Sequence, residues 1–301
     1  MKTLTAAALL MLGATLPAWA QDWKQDYRIV RIGVTSAENE ADRMARWEPY
    51  RDYLEKSLGV EVEIFTAGSY DGVIQALAAD QIEFASLGSS AYAAAWTETE
   101  GGVRPILAQQ DLDGSSGYFS VIAVRCDAGY KTVADLKGKV MAFADPDSTS
   151  GYAVPLFNLV RQGIEPTSYF AATPFSGSHE AGVQGVVNHQ FDAAATYINN
   201  EENGIPQRMV QKGMIKEGEV CFVWQSPEIT NGPVTVRANL PPAMIDAVKQ
   251  AYLRAPVDAP DAFRAITGGD KSTARGFIEV DHDRYQWIVD MRAWMKAQRR
   301  G

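Results

Sequence analysis

KVMAFADPDSTSGYAVPLFNLVRQG, residues 139–163, reads as a strand, a polar loop and a helix in immediate succession. Residues 139–144 are a short apolar run of strand length. Residues 151–162 carry apolar side chains at helical spacing, and Gly163 stands where a helix C-cap is expected. Between them Ser148, Thr149 and Ser150 offer three hydroxyls at the helix start. A helix N-terminus has unpaired backbone N–H groups and roughly half a positive charge, so it suits an anion. One Ser or Thr is enough for an ordinary N-cap. Three in a row with Gly151 behind them exceed that need and point to an anion site.

The same strand-then-helix unit recurs in both directions from this segment. Upstream, residues 28–34, 60–66, 82–87, 106–109 and 118–124 read as strands, and residues 41–58, 69–79 and 90–98 as helices. Trp47, Tyr50, Leu54 and Leu58 share one face of the first helix, which Gly59 closes. Downstream, residues 191–197, 220–224 and 234–237 read as strands. Residues 179–187, 208–212, 241–252, 260–266 and 284–297 read as helices. This alternation predicts an α/β fold with mostly parallel sheets and helices on both faces. Two such runs in one chain predict two Rossmann-like lobes around a cleft. The expected crossings between lobes are the Gly-, Ser- and Pro-containing stretches 117–120 and 228–233, as a two-strand hinge. That gives one lobe of residues 21–118 with 233–301 and a second of residues 119–232.

Ligands of open α/β sheets sit beyond the carboxyl ends of strands. Tyr70 follows the strand 60–66 in Gly68-Ser-Tyr-Asp-Gly72, and Ser89 and Ser90 follow the strand 82–87. His179, in Gly177-Ser-His-Glu180, opens a helix and can turn its imidazole toward a cleft. A general-base role for His179 would need a nucleophile and an orienting acid, and no G-x-S-x-G elbow accompanies it.

Residues 1–20 have the layout of a secretory signal peptide: Lys2, an apolar run from Leu4 to Leu16, and Ala18-Trp19-Ala20 as a cleavage site. That run is too short to span a bilayer, which needs about 20 apolar residues. With 28 Lys+Arg against 37 Asp+Glu, the net charge of −9 argues against a nucleic-acid partner. It leaves room for a small anion in a locally positive pocket. Cys126 and Cys221 are either a disulfide, as an oxidising compartment permits, or two free thiols. His179, His189 and His282 with two distant cysteines make no metal-ligand cluster, and neither a metal nor another cofactor is expected.

The segments Trp47-Glu-Pro-Tyr50, Tyr70-Asp-Gly-Val-Ile-Gln75, Gly117-Tyr-Phe-Ser-Val121, Asp145-Pro-Asp-Ser-Thr-Ser-Gly151, Gly177-Ser-His-Glu180 and Ser226-Pro227 resemble the periplasmic phosphonate/phosphite/phosphate-binding proteins of ABC importers. The resemblance runs over roughly residues 32–240. It implies the type II two-lobed solute-binding fold, closing over its ligand. It further implies that Ser148, Thr149, Ser150, His179 and Tyr70 contact an oxyanion, with the loop of Ser89 and Ser90 beside them. The positions at which aminoalkyl-phosphonate binders carry acids fall on Asn199 and Gly232, and Leu87 replaces a frequent Tyr. Glu201 and Asp192 stand nearby in sequence. A buried ammonium without a carboxylate is costly, so phosphite, methylphosphonate or phosphate fits better than an amino-phosphonate. The implied role is capture without chemistry by a periplasmic, monomeric protein that delivers to a membrane permease. The same fold can instead present its ligand to a sensor, or hold another small oxyanion. Hydroxyl and amide donors leave no evident need for a cationic side chain.

Overall fold

The computed structural model describes residues 23–298; the expected signal peptide, residues 1–20, lies outside the described residues. In chain order the strands are β1 (Ile29–Val34), β2 (Glu61–Thr66), β3 (Phe84–Ser86), β4 (Val103–Asp111), β5 (Gly117–Arg125), β6 (Met141–Ala142), β7 (Ala193–Asn200), β8 (Asn203–Gly204), β9 (Val220–Gln225), β10 (Ile229–Thr230), β11 (Pro233–Arg237) and β12 (Ala274–Glu279). They form two sheets. The first has the order β12-β4-β11-β3-β1-β2; the second runs β10-β5-β7-β6, with β8 on β7 and β9 on β5.

The expectation of mostly parallel sheets needs correction. Among the strands of the described residues, only β1 with β2, β1 with β3, and β6 with β7 pair in parallel, besides isolated parallel bridges Val140–Ala172 and Phe143–Phe175. β11 runs antiparallel to both neighbours, β3 and β4, because it enters the first sheet from the other lobe. β12 is an antiparallel edge on β4 that the sequence did not announce. Its ARGFIE segment is half-exposed and carries two charges, so it lacks the apolar run of a buried strand.

The chain leaves the first sheet after Asp111 and enters the second at Gly117. It returns between Thr230 and Pro233. At the crossing the two segments run side by side, with Ile229 opposite Tyr118 and Thr230 opposite Gly117. Asn231 ties them to the first sheet: its N–H donates to Ser116 O (2.9 Å) and its amide to Gln109 O (3.1 Å).

The helix Glu40–Leu58 forms as its periodicity predicts, burying Trp47, Tyr50, Leu54 and Leu58. The Asn39 side chain accepts from the Asp42 N–H at one end, and Gly59 adopts a left-handed φ of 66° at the other. An N-cap of this type contributes about 1 kcal/mol. The helix covers one face of the first sheet together with Pro242–Asp258 and Pro260–Thr267, and Tyr50 packs edge-on to Tyr252 at 5.2 Å. The carboxyl-terminal helices thus pack against the first lobe. Gln286–Gln298 also leans on the second, through Trp294 against Phe157 and Arg292 to Asp147.

The cysteine question left open by sequence is resolved by a Cys126–Cys221 disulfide joining residues 95 apart. It ties the end of β5 to β9, where Cys221 pairs with Val124 in the ladder. One apolar core runs without interruption from Tyr70, Leu87 and Tyr92 of the first lobe to Ile122, Phe143 and Tyr152 of the second. The two lobes are therefore closed upon one another.

Candidate functional site

Between the lobes lies a cavity of about 220 Å³, bounded by the ends of β1, β3, β4 and β7 and by the segments 148–149 and 231–232. That volume is below the usual range for drug-sized ligands and suits a smaller molecule.

The segment singled out first forms one wall. Ser148 is the N-cap, its Oγ accepting from the Gly151 N–H at 3.0 Å. The first turn, Thr149–Ala153, is a π-turn rather than α-helix, with the Ala153 N–H reaching back to Ser148 O. Such widened turns occur mostly within longer helices and often at functional sites; here the α-helix proper runs Val154–Arg161. A β-carbon at position 151 would come within 2.5 Å of Ala144 Cβ and 2.8 Å of both His179 Cε1 and Ser148 Oγ. Glycine is therefore what lets the hydroxyl loop lie against the histidine.

His179 opens the helix His179–Val187 and is 2% exposed. Its Nε2 lies 3.0 Å from Ser148 Oγ, and its ring meets Tyr197 edge-on at 5.0 Å. Burial lowers its pKa to about 3, so the ring is neutral at physiological pH. Tyr70, from the opposite lobe, is buried beside Ser148, and its pKa is raised by burial. Tyr118 rises to about 12 for the same reason, partly offset by the neighbouring Ser150 and Thr149 side chains.

Ser148, Thr149, His179, Tyr70 and Asn199 all line the cavity. Ser150, Ser89 and Ser90 do not. Ser150 lies behind the wall, its carbonyl accepting from Ser120 Oγ at 2.6 Å. Ser89 Oγ donates to Thr230 O (2.7 Å), and Ser90 Oγ accepts from Arg292 (2.7 Å). Both serines are thus spent on joining elements, and Ser86, Leu87 and Gly88 take their place on the wall. Thr149 has a second duty: its Oγ1 accepts from the Ser90 N–H at 2.8 Å, across the lobes.

Several lining residues were missed by sequence: Arg46, Trp47, Gln109, Tyr118, Tyr197, Arg208 and Asn231. Trp47 and Tyr118 stand inside motifs already quoted, but Trp47 was assigned only to a helix face and Tyr118 only to a strand. The two arginines stand mid-helix, where a charge ordinarily faces water. Arg46 pairs with the buried carboxylate of Glu38 and donates to Ile266 O at 3.1 Å. Burial alone would raise the pKa of Glu38, but Arg46 and Lys212 outweigh it and hold it low. Lys212 in turn bridges Glu38 (3.2 Å), Asp42 (2.7 Å) and Glu180 (3.1 Å), a latch across the lobes.

No Asp or Glu lines the cavity. Asp192 is committed elsewhere, accepting from Tyr130 Oη and the Val140 N–H at 2.9 Å each. Glu201 lines a separate recess behind the hinge with Asp111, Asp113 and Glu228. Gly232 cannot give way to an acid, since any β-carbon there would come within 2.0 Å of Leu87 O. Three polar atoms on lining residues, Trp47 Nε1, His179 Nδ1 and Asn199 Oδ1, are buried without a hydrogen-bond partner. Groups of this kind are normally satisfied.

The family profile described as ABC transporter, phosphonate, periplasmic substrate-binding protein matches residues 32–285. The chain belongs to this family. It is 29% identical over 273 residues to the phosphate-import protein PhnD of Mycolicibacterium smegmatis, covering 88% of this chain and 79% of that one. It is 31% identical over 242 residues to the phosphonates-binding periplasmic protein of Escherichia coli, covering 79% and 68%. Its fold matches PhnD1 of Prochlorococcus marinus, solved in complex with methylphosphonate, with a TM-score of 0.77 at 20% identity, covering 89% of this chain and 98% of that one. The relatives are periplasmic solute-binding proteins of importers. The α/β architecture is accordingly the type II two-lobed solute-binding fold, as the sequence implied. Among the described residues no helix is long and apolar enough to cross a membrane.

Proposed function

We propose that this chain captures a phosphorus oxyanion lacking an amine, a phosphonate, phosphite or phosphate, in the interlobe cavity and does no chemistry on it. The lobes would be residues 21–118 with 233–301 and residues 119–232. The protein would act as an exported monomer and deliver its ligand to the membrane permease of an ABC importer. One observation carries the reading. Ser148, Thr149 and His179 of one lobe meet Tyr70 of the other around a cavity that has unpartnered polar atoms and no carboxylate.

Hydrogen bonds to a charged group contribute about 1.5–3 kcal/mol each. A few such bonds, available only when the lobes are shut, shift the population toward the closed form. The buried Ser148–His179 contact resembles half of a nucleophile and base pair, but the chemistry does not follow. A nucleophilic serine needs a base that accepts its proton near neutral pH and a third group that orients the base. The pKa of His179 is lowered to about 3, and its Nδ1 has no partner among the described residues.

The test is a thermal-shift panel of phosphite, methylphosphonate, phosphate, 2-aminoethylphosphonate and sulfate. A ligand at a hundred times its Kd stabilises by about 2.7 kcal/mol. One or more of the first three should raise the melting temperature, and 2-aminoethylphosphonate the least among the phosphorus compounds. No shift with any phosphorus oxyanion, or turnover of a chromogenic phosphoester, would remove the proposal.

A further inference from the structure

Arg208 is the cavity's unexplained group. It lies on the helix Ile205–Gln211, half-buried, and forms no ion pair within 4 Å among the described residues. Its guanidinium sits over the Tyr197 ring, 5.8 Å from the centroid. Its hydrogen bonds are long and all to neutral oxygens: Asn203 Oδ1 at 3.3 and 3.4 Å and Tyr197 Oη at 3.2 Å. A guanidinium presents five N–H donors in a planar fork suited to two oxygens at once. Arg46 lines the same cavity from the other lobe. Glu38, whose carboxylate the Arg208 charge also reaches at longer range, is paired with Arg46, shared with Lys212 and absent from the cavity wall.

Tyr197 stands against both the hydroxyl end and this cationic end. His179 meets it at 5.0 Å and the Arg208 guanidinium at 5.8 Å. The neutral donors Ser148, Thr149 and His179 therefore face one part of the ligand, and the guanidinium faces another. An ammonium at the second end would meet like charge, and a methyl group would add no acceptor to the long bonds with Asn203 and Tyr197.

We infer that the ligand's substituent is itself anionic, so that the substrate class is a phosphonate bearing a carboxylate or a similar planar acid within a few bonds of phosphorus. The inference rests on the phosphorus-oxyanion reading above and narrows it. A carboxylate accepts two parallel N–H bonds from one guanidinium. The recess of Asp111, Asp113, Glu201 and Glu228 on the far side of Asn199 gives the opposite charge a place only outside this wall.

The experiment is isothermal titration calorimetry of the full chain with phosphonoacetate, methylphosphonate and 2-aminoethylphosphonate, for the wild type, R208Q and the exposed charge control R161Q. The wild type should bind phosphonoacetate at least tenfold more tightly than methylphosphonate, with 2-aminoethylphosphonate weakest. R208Q should cut the phosphonoacetate-to-methylphosphonate preference at least tenfold, and R161Q should leave that ratio unchanged. If R208Q does not fold, the wild-type order alone decides. Methylphosphonate binding as tightly as phosphonoacetate would overturn the inference and leave the broader reading standing. Tightest binding of 2-aminoethylphosphonate would overturn it in favour of the acidic recess. Failure of all three, and of phosphate and phosphite, would overturn both.

Discussion

The two ends of the cavity are lined by opposite kinds of polar group. The end built by Ser148, Thr149, His179 and Tyr70 is almost wholly buried and uses neutral groups. The end built by Arg46 and Arg208 is half-buried and uses formal charge. The difference follows from desolvation. A bare cation at the deep end would be costly whenever the cavity is empty, whereas hydroxyls and imidazole can be held by one another. At the other end, partial exposure and the carboxylate of Glu38 keep the Arg46 guanidinium stable without ligand. On the proposed reading, a protein of net charge −9 would take up an anion with dipoles at one end of the cavity and cations at the other.

The contrast breaks most completely at Gly151. In G151A the β-carbon would press on Ala144, His179 and Ser148 at 2.5–2.8 Å. Overpacking of this kind costs about 1–3 kcal/mol of stability, and it would push the hydroxyl loop off the histidine. Calorimetry should show at least a hundredfold loss of phosphorus-oxyanion affinity and denaturant melts a lower midpoint. Wild-type affinity would mean that the deep end tolerates displacement.

A smaller effect distinguishes the ends by their response to salt. S148A should cost about 1 kcal/mol of stability through the lost cap and about ten- to a hundredfold in affinity through the lost bond. That loss should be the same at low and high ionic strength. R46Q should lose affinity mainly at low salt, since screening weakens exposed charges most. Equal salt dependence in the two variants would erase the distinction between neutral and charged walls.

The smallest effect on affinity is one of pH. Because the pKa of His179 is lowered to about 3, the ring does not change charge between pH 5 and 8, and ligand affinity should show no histidine step there. Stability should respond. Below about pH 6.5 the unfolded chain protonates this residue while the folded chain does not. The unfolded state then binds more protons, and stability falls as pH is lowered from about 6.5 toward 3. H179N should show a shallower fall over that window than the wild type. Identical slopes would mean that the ring is protonated in the folded state.

What could be read beforehand divides along the same line. The hydroxyl segment of the deep wall was legible because Ser148 and Thr149 are contiguous, between a strand and a helix. Each had a chemical reason for being there that exceeded capping. Ser89 and Ser90 carried the same local signal. Their hydroxyls are instead engaged by Thr230 O and Arg292, which nothing in sequence shows. Arg46 and Arg208 were illegible for a different reason. A charge in mid-helix looks the same in sequence whether it faces water or a cleft, and only the packing of the lobes distinguishes the two. The lobes themselves were legible from the alternation of strands and helices. The direction of β11 was not, because it depends on where the chain has been before it arrives.

That arrival has a consequence for how the molecule is made. β11 lies in the middle of the first sheet, between β4 and β3, yet it follows the entire second lobe in sequence. Until residues 233–237 are present, β3 and β4 cannot be bridged, and the first sheet is two fragments with open edges. Pairings so distant along the chain form slowly, and unpaired edges invite aggregation. The second lobe is continuous in sequence and stapled by its own disulfide, so it needs no such wait. A chain delivered amino end first would thus complete its later-made half before its earlier-made half, and the early strands would need protection from strangers in the interval.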